Sequence, residues 1–271
     1  DNGRTVSFDK KPERIVVTSA SFLEPLYAVG GTVIGRPDSK SKIPEAAKSA
    51  TNIGRVYQID AEKVLALTPD LVILNRGMNE KLVETLAANN VKNLVLDMKS
   101  YADVKREIGI FATLTGEKAK GDELIQKMDA DIAAVRASIP QEKKRVAIIH
   151  STGQGLSVQL DGSIAGSIAN MLGWENTAAG MPALDKNPDA APYSMETLVA
   201  QNPDIIFVTS MGEEAEIRAS MEAMFAESPA WQSVGAIRDG RVYYLPQEMF
   251  LFSPGIEYPA AVKYMARLVY P

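Results

Sequence analysis

Short apolar runs alternate with helical segments along the whole chain. Arg14–Thr18 is a β-branched run that leads into a helical stretch at Phe22–Val29. Leu71–Leu74 is an apolar run that follows a short helical segment, Ala61–Leu67. These runs are continuous rather than alternating, which is typical of parallel sheets covered on both faces. The same pattern predicts strands at Val33–Gly35 and Leu94–Leu96 and a helix at Glu80–Ala88. It indicates an α/β fold.

The second half of the chain repeats the first. Residues 61–75 (AEKVLALTPDLVILN) align with residues 195–209 (METLVAQNPDIIFVT) at a constant offset of 134. Residues 14–19 (RIVVTS) align with residues 145–150 (RVAIIH) at an offset of 131. Short α/β segments can resemble one another by chance, but two matches at nearly one offset favour duplication. We therefore expect two similar lobes with mainly parallel sheets.

A long helical pattern separates the two halves. Glu117–Ile139 has no proline, and its apolar residues recur at a spacing of 3, 4, 3, 4: Ile125, Met128, Ile132, Val135 and Ile139. Such spacing places one apolar stripe along a helix about 34 Å long. We interpret it as a strut between the lobes, with an ordinary surface helix as the alternative. The predicted domains are an N-terminal lobe (1–116), a connecting helix (117–139) and a C-terminal lobe (140–271).

Composition excludes several classes of protein and site. The net charge is −5 and there are no basic clusters, which argues against nucleic acid as a partner. The absence of cysteine excludes disulfides, zinc-thiolate sites and cysteine nucleophiles. No apolar run is long enough to span a bilayer. The absence of cysteine also suits an exported protein. The chain opens at Asp1 rather than Met, so it is either processed or trimmed, and a signal peptide or a lipid-modified Cys upstream is one expectation.

An enzyme on a Rossmann-like fold is the alternative from another class. The chain lacks the G-x-G-x-x-G, P-loop and G-x-S-x-G motifs. One histidine and no cysteine leave little apparatus for general acid–base catalysis beyond carboxylates. We therefore predict neither catalytic residues nor a catalytic cofactor, and we disfavour a pure interaction module, which would not need a duplicated cleft.

Candidate binding residues follow from the predicted sheets, because ligands of open parallel sheets bind beyond the carboxyl ends of the strands. We expect a ligand cleft between the two lobes. The candidates are Ser19, Ser21, Arg36, Tyr57 and Arg76 in the first lobe, and His150, Tyr193, Ser210, Met211 and Met249 in the second. Each of these residues also has a structural interpretation, in which its side chain only packs against its neighbours. His150 stands alone, so we favour a hydrogen-bonded residue at a strand end over a metal ligand.

Two acids are related by the repeat. Adding 134 to Glu80 gives Glu214, and both are predicted to begin the helix after the matched strand. The helix macrodipole alone would favour an acid in a first turn. Two symmetry-related carboxylates would also suit a partner that carries two basic pockets.

In these segments the chain resembles the class III solute-binding proteins, which deliver ferric siderophores, haem or cobalamin to ABC importers. The resemblance covers essentially the whole chain and includes IGRVYQIDAEKVLALTPDLVI, YSMETLVAQNPDIIFV and WQSVGAIRDGRVYYLP. It implies two Rossmann-like lobes bridged by one long helix, with the ligand between them. It also implies a monomer, periplasmic or anchored at the cell surface as a lipoprotein. Its partners would be an ABC permease and its ATPase, docked through Glu80 and Glu214 (Glu213 and Glu216 are neighbours).

The ligand is less sharply indicated than the family. VTSMGEEAE and LPQEMFLFSPGIEYP are most similar to haem-receptor members, in which the iron ligands fall on or near Tyr57 and Met211. The family pattern has Met and His there, and this chain departs from it at both positions. Tyr and Met are both credible ligands of haem iron. A highly anionic siderophore would be bound by the basic side chains of Arg36, Arg55 and Arg76. Cobalamin would be bound in a cleft lined by aromatic side chains: Tyr57, Tyr193, Phe250 and Phe252.

Overall fold

The fold is described from a computed structural model of the chain, which describes residues 3, 5–39 and 42–271. The chain forms two compact units. The first comprises the described residues up to Met98 together with Ala102–Lys127, and the second comprises Lys99–Tyr101 together with Met128–Pro271. Each unit is built on its own sheet, so the predicted pair of α/β lobes is confirmed.

The first unit contains six strands and most of its helices lie between them. The strands are β1 (Ile15–Val17), β2 (Gly35–Asp38), β3 (Thr51–Arg55), β4 (Gln58–Ile59), β5 (Leu71–Asn75) and β6 (Lys92–Leu96). Its helices are α1 (Leu23–Ala28), α2 (Ala61–Ala66), α3 (Leu82–Ala88) and α4 (Tyr101–Thr115), and 3₁₀ turns occur at Ala20–Phe22 and Glu45–Ala47. The next helix, α5 (Lys118–Ser138), belongs to this unit only as far as Lys127.

The second unit has the same alternation of strands and helices. Its strands are β7 (Arg145–Thr152), β8 (Gly155–Gln159), β9 (Glu175–Asn176), β10 (Ala190–Pro192), β11 (Ile205–Met211) and β12 (Val242–Tyr244). Its helices are α6 (Ile164–Met171), α7 (Met195–Gln201), α8 (Glu214–Glu227), α9 (Pro229–Gln232), α10 (Gly235–Arg238), α11 (Gln247–Phe250) and α12 (Tyr258–Val269), with a 3₁₀ turn at Gly255–Glu257.

Both sheets are mainly parallel. The first has the order β4-β3-β2-β1-β5-β6, and only its edge hairpin β3–β4 is antiparallel. The second has the order β10-β8-β7-β11-β12, with β9 pairing beside β7. The central strands of both sheets are fully buried apolar runs, as expected for parallel strands covered on both faces.

The internal repeat is confirmed in the register of the strands. In the first sheet Ile15 lies opposite Leu71, and in the second Val146 lies opposite Ile205. These two pairs are related by the same offsets, 131 and 134, that align the sequences. The repeated unit is therefore a pair of adjacent parallel strands together with the helix that precedes the second strand.

The repeat extends to side-chain hydrogen bonds. A carboxylate oxygen of Asp70 accepts the Arg14 backbone N–H at 3.0 Å, and one of Asp204 accepts that of Arg145 at 2.8 Å. The two arginine side chains donate to carbonyls at the C-terminal ends of α2 and α7, that of Leu67 at 2.6 Å and that of Gln201 at 2.7 Å. Both duplicated helices are thus anchored in the same way to the start of a neighbouring strand, α2 to β1 and α7 to β7.

The long helix is present as α5. Its predicted apolar stripe is its more buried face, on which Met128 is only 2% exposed. Ile139, the last residue of the stripe, lies just beyond the helix and is 8% exposed. The division between the units falls inside this helix, after Lys127.

In the part of the chain that the structure describes, no helix combines the length and apolar character that crossing a bilayer requires.

Three details differ from the sequence predictions. The second strand is Gly35–Asp38 rather than Val33–Gly35, because β1 and β3 supply hydrogen-bonding partners to a polar segment that carries no apolar signal. Helix α4 and the β3–β4 hairpin were not predicted. Helix α3 begins at Leu82, so Glu80 lies in the turn before it rather than in its first turn.

Candidate functional site

In the first unit, the carboxyl edge of the sheet is organised by buried polar side chains. The Thr18 hydroxyl follows β1 and lies 2.7 Å from Asn79 Oδ1, which it can reach as a donor. Asn79 Nδ2 donates to the Val56 carbonyl at 2.6 Å, and the Asn75 backbone N–H donates to the Thr18 hydroxyl at 3.0 Å. The ends of β1 and β5 are therefore tied to the turn of the β3–β4 hairpin.

Tyr57 occupies that hairpin turn. Its side chain is 66% exposed, and its hydroxyl accepts a hydrogen bond from Arg55 Nη1 at 2.7 Å. This hydrogen bond is the main cause that raises the pKa of Arg55. A guanidinium beside a phenol oxygen compensates negative charge on that oxygen, so the pair presents an exposed oxygen suited to a hard cation such as ferric iron.

The other candidates of the first unit differ in their surroundings. Arg76 is exposed just beyond β5, and Ser21 lies in the 3₁₀ turn after β1, where its N–H donates to the buried Ser19 hydroxyl at 3.4 Å. Arg36 donates to three backbone carbonyls, those of Ala47, Pro37 and Lys48. These three bonds explain Arg36 as an anchor for the 3₁₀ turn, and its place in a ligand site stays a prediction.

In the second unit, Met211 ends β11 at the corresponding edge. Its side chain is 55% exposed, and it lies in register with Thr152 on β7. His150 precedes Thr152 by two residues, so His150 and Met211 are diagonal neighbours on one face of the β7–β11 pair. The candidate thioether and imidazole thus share one sheet face near the carboxyl edge.

His150 is a hydrogen-bonded residue near a strand end. Its Nδ1 lies 3.0 Å from the Thr209 hydroxyl, and the tautomer of the ring decides which of the two donates. Burial lowers the pKa of His150, so the neutral form is favoured at pH 7.

Tyr193 and Ser210 have mainly structural surroundings. Tyr193 stacks on the buried Trp231 at 5.9 Å between ring centroids and packs against the apolar core of the unit. This burial raises the pKa of Tyr193 to about 12. Ser210 is 6% exposed, on the opposite face of β11 from Met211. Met249 is half-buried in α11, beside the exposed Phe252.

The two docking candidates are both exposed. Glu80 lies in the turn between β5 and α3. Glu214 is the first residue of α8, and its Oε1 accepts the backbone N–H of Gln247 at 2.8 Å. Glu213 and Glu216 are exposed beside it.

In the described residues no group of three His, Cys, Asp or Glu side chains is placed to hold a bare metal ion.

Sequence reasoning missed two residues at the edge of the first sheet. Asn79 is 4% exposed and holds the network described above, while Met78 beside it is 58% exposed. The segment NRGMNE looks like an ordinary polar turn. The available signal was its position directly after β5, where ligand-contacting residues of parallel sheets concentrate.

The model of the periplasmic binding protein family matches residues 15–249. The chain belongs to this family. A curated relative, the high-affinity heme uptake system protein IsdE of Staphylococcus aureus, is 22% identical over 259 residues, which cover 95% of this chain and 87% of that protein. The family predicted from the sequence is therefore confirmed. It is a family of binding proteins rather than enzymes.

Solved structures share the fold over nearly the full length. An ABC transporter substrate-binding protein from Listeria monocytogenes superposes with a TM-score of 0.84 at 23% identity, covering 96% of this chain and 98% of that one. Staphylococcus aureus IsdE complexed with heme gives 0.80 at 22% identity, covering 95% and 99%. Staphylococcus aureus SirA complexed with staphyloferrin B gives 0.78 at 17% identity, covering 97% and 95%. At these identities the structural similarity shows the fold alone. The ligand has to be inferred from the chain's own residues.

Proposed function

We propose that this chain is the extracytoplasmic substrate-binding protein of an ABC importer for an iron complex, with haem as the ligand. The protein would capture the chelate and deliver it to the permease without chemical change. The observation that carries this proposal is the exposed Tyr57 phenol, held 2.7 Å from the Arg55 guanidinium at the carboxyl edge of the first sheet. The whole-length relation to a heme uptake protein supports it.

The Arg55–Tyr57 pair suits ferric haem. A phenolate is an anionic oxygen ligand known for haem iron, and a neighbouring cation offsets its charge. Because Tyr57 is 66% exposed, its hydroxyl is open to a large planar ligand. We assign Tyr57 as the iron ligand contributed by the first unit, with Arg76 and Ser21 as further polar contacts and Met78 as an apolar one.

In the second unit we assign Met211 as the ligand-contacting residue. Its thioether is exposed and is a credible soft ligand of haem iron. His150 supports an alternative ligand on the same face, because burial keeps its ring neutral and a neutral imidazole is a common ligand of iron. Met249 and Tyr193 would contribute apolar surface, in keeping with mainly apolar ligand sites.

A siderophore or a corrinoid is the alternative ligand within the same family. A highly anionic siderophore needs several free cations, and the guanidinium of Arg36 is already engaged by three backbone carbonyls. Of the three candidate arginines that leaves Arg55 and Arg76, fewer than such a chelate would require. This observation favours haem over the catecholate siderophores.

Delivery would use the two exposed acids. We propose that Glu80 and Glu214 pair with basic pockets of the permease, whose ATPase drives release of the ligand. Exposed ion pairs contribute only about 0–1 kcal/mol each, so these contacts would set the register of docking more than its affinity. The protein would act outside the cytoplasm as a monomer.

An absorption titration of the ligand-free protein with ferric haem tests the ligand. We expect a saturable one-to-one change in the Soret band, altered by Tyr57→Phe, which removes only the hydroxyl, and by Met211→Leu. Tyr243→Phe is the matched control, since Tyr243 lies on β12 and packs on the buried Phe207 of β11. The haem assignment fails if no saturable change occurs, and titrations with a ferric siderophore and cobalamin then decide between the alternatives.

A further inference from the structure

Asn79 is a buried amide whose hydrogen-bonding groups are engaged in two directions. It is 4% exposed, its Oδ1 faces the Thr18 hydroxyl at 2.7 Å, and its Nδ2 donates to the Val56 carbonyl at 2.6 Å. The Asn75 backbone N–H also approaches Oδ1, at 3.4 Å. A buried amide with partners on both its oxygen and its nitrogen is held in one place.

The orientation of this amide follows from its partners. If the amide were flipped, its oxygen would face the Val56 carbonyl, and two acceptors without a hydrogen would repel each other. The flipped nitrogen would also face the Asn75 N–H, donor against donor. The observed orientation is therefore the one that the surrounding backbone selects.

The Val56 carbonyl belongs to the peptide that leads into Tyr57. This peptide lies in the two-residue turn of the β3–β4 hairpin, where Arg55 pairs with Gln58. Strand β4 is the edge of the first sheet, so the turn has a neighbouring strand on one side only. The bond from Asn79 Nδ2 thus ties this outlying turn to the carboxyl ends of β1 and β5, through Thr18 and Asn75.

We propose that Asn79 is the positioning residue of the ligand site in the first unit. By holding the peptide before Tyr57, it fixes where the Tyr57 phenol stands at the carboxyl edge of the sheet. This inference rests on the proposed function, in which Tyr57 contacts the iron of the ligand. Asn79 itself does not touch the ligand; it acts through the Val56 carbonyl.

Asn79→Asp tests the proposal with little change in shape. It replaces the donating Nδ2 by a carboxylate oxygen that faces the Val56 carbonyl, so the turn is released. Two measurements report the result: hydrogen exchange of backbone amides 55–59 in ligand-free protein, and the rate at which ferric haem is lost to apomyoglobin. We expect both to rise about tenfold, as the loss of one buried hydrogen bond implies, together with a change in the visible bands that depend on Tyr57.

The matched control is Asn89→Asp. Asn89 is exposed after α3, where its Nδ2 donates to the Thr85 carbonyl at 2.8 Å, so its replacement should leave both measurements unchanged. If Asn79→Asp does not fold, Thr18→Val replaces it, because it removes the hydroxyl that faces Asn79 Oδ1. Thr18→Ser, which keeps the hydroxyl, is then the control.

The two measurements separate the possible failures. Unchanged exchange and unchanged haem loss in the folded variant overturn the positioning role. Faster exchange with unchanged haem loss overturns the link between Asn79 and the ligand. If the wild-type protein takes up no haem, the proposed ligand fails, and the exchange measurement still decides whether Asn79 holds the turn.

Discussion

Glu214 and Gln247 are joined by a hydrogen bond of 2.8 Å from the Gln247 backbone N–H to the Glu214 carboxylate. The Gln247 side chain returns a second bond, from Nε2 to the Gly212 carbonyl at 2.7 Å. The loop after β11 is therefore fastened to the first turn of α11. Met211 precedes this fastened loop and Met249 lies in α11, so two candidate ligand residues are held by elements that Glu214 connects.

This contact predicts a structural role for Glu214 that can be separated from docking. Glu214→Gln keeps an oxygen that can accept the Gln247 N–H, whereas Glu214→Ala removes it. We expect the alanine variant to lose about 1 kcal/mol of unfolding free energy and the glutamine variant much less. Urea denaturation measures both, with Glu216→Ala as the control for an exposed acid in the first turn of α8. Equal losses in Glu214→Ala and Glu216→Ala would remove the structural role.

The docking assignment makes a different prediction. Reversing both charges, Glu80→Lys with Glu214→Lys, should abolish ligand uptake by the reconstituted importer. Uptake is measured at saturating haem, because loss of the Glu214 contact to Gln247 also releases the loop after β11 and would lower haem affinity. The control is the double reversal of Glu84 and Glu227, which makes the same change in net charge on exposed positions of α3 and α8. Uptake that persists after reversal of Glu80 and Glu214 would end their assignment as docking residues.

Much of the fold could be predicted from the sequence because burial leaves a pattern. The continuous apolar runs Leu71–Leu74 and Ile205–Val208 lie in central strands of the two sheets. The sequence offset between the two halves correctly relates the residue pairs of one sheet to those of the other. The stripe from Ile125 to Val135 marked the more buried face of α5. These features depend on hydrophobic periodicity, which a sequence displays directly.

The site could be predicted less well, because polar contacts join residues that are distant in sequence. Asn79 reaches Val56 and Thr18 across 23 and 61 positions, and no periodicity marks such pairs. The charge of Arg36 indicates a ligand contact, but its guanidinium donates to backbone carbonyls that only the folded 3₁₀ turn brings near. Charge and residue type indicate what a side chain can bind, and the fold decides what it does bind.

Glu107 predicts how stability depends on pH. This carboxyl on α4 is fully buried, its Oε1 lies 3.3 Å from Arg106, and its Oε2 has no hydrogen-bond partner among the described residues. Burial raises the pKa of Glu107 to about 8, against the opposing effect of Arg106. The native state therefore holds a proton that the unfolded chain releases above its ordinary pKa, so the stability contributed by this group is lost as pH rises from about 4.5 to about 8.

Glu107→Gln removes this dependence while keeping the size of the side chain. Denaturation at pH 5, 6, 7 and 8 should show the wild-type unfolding free energy falling relative to the variant by up to about 1.4 kcal/mol per pH unit. Above about pH 8 the difference should become constant, since both states have then lost the proton. Parallel curves for the two proteins would mean that Glu107 is ionised in the native state.

Arg55 predicts how the first unit would discriminate among ligands. If its guanidinium compensates a Tyr57 phenolate bound to iron, Arg55→Gln should speed the loss of ferric haem about fivefold and shift the Tyr57-dependent bands, because the charge-assisted bond is lost. Arg76→Gln is the matched control, since it removes an exposed cation near the same edge and should leave those bands in place. Haem transfer to apomyoglobin, followed by stopped flow, measures the rates. Equal effects of the two substitutions, without a spectral shift, would instead indicate that both arginines act as general cations for an anionic chelate, and would favour a siderophore over haem.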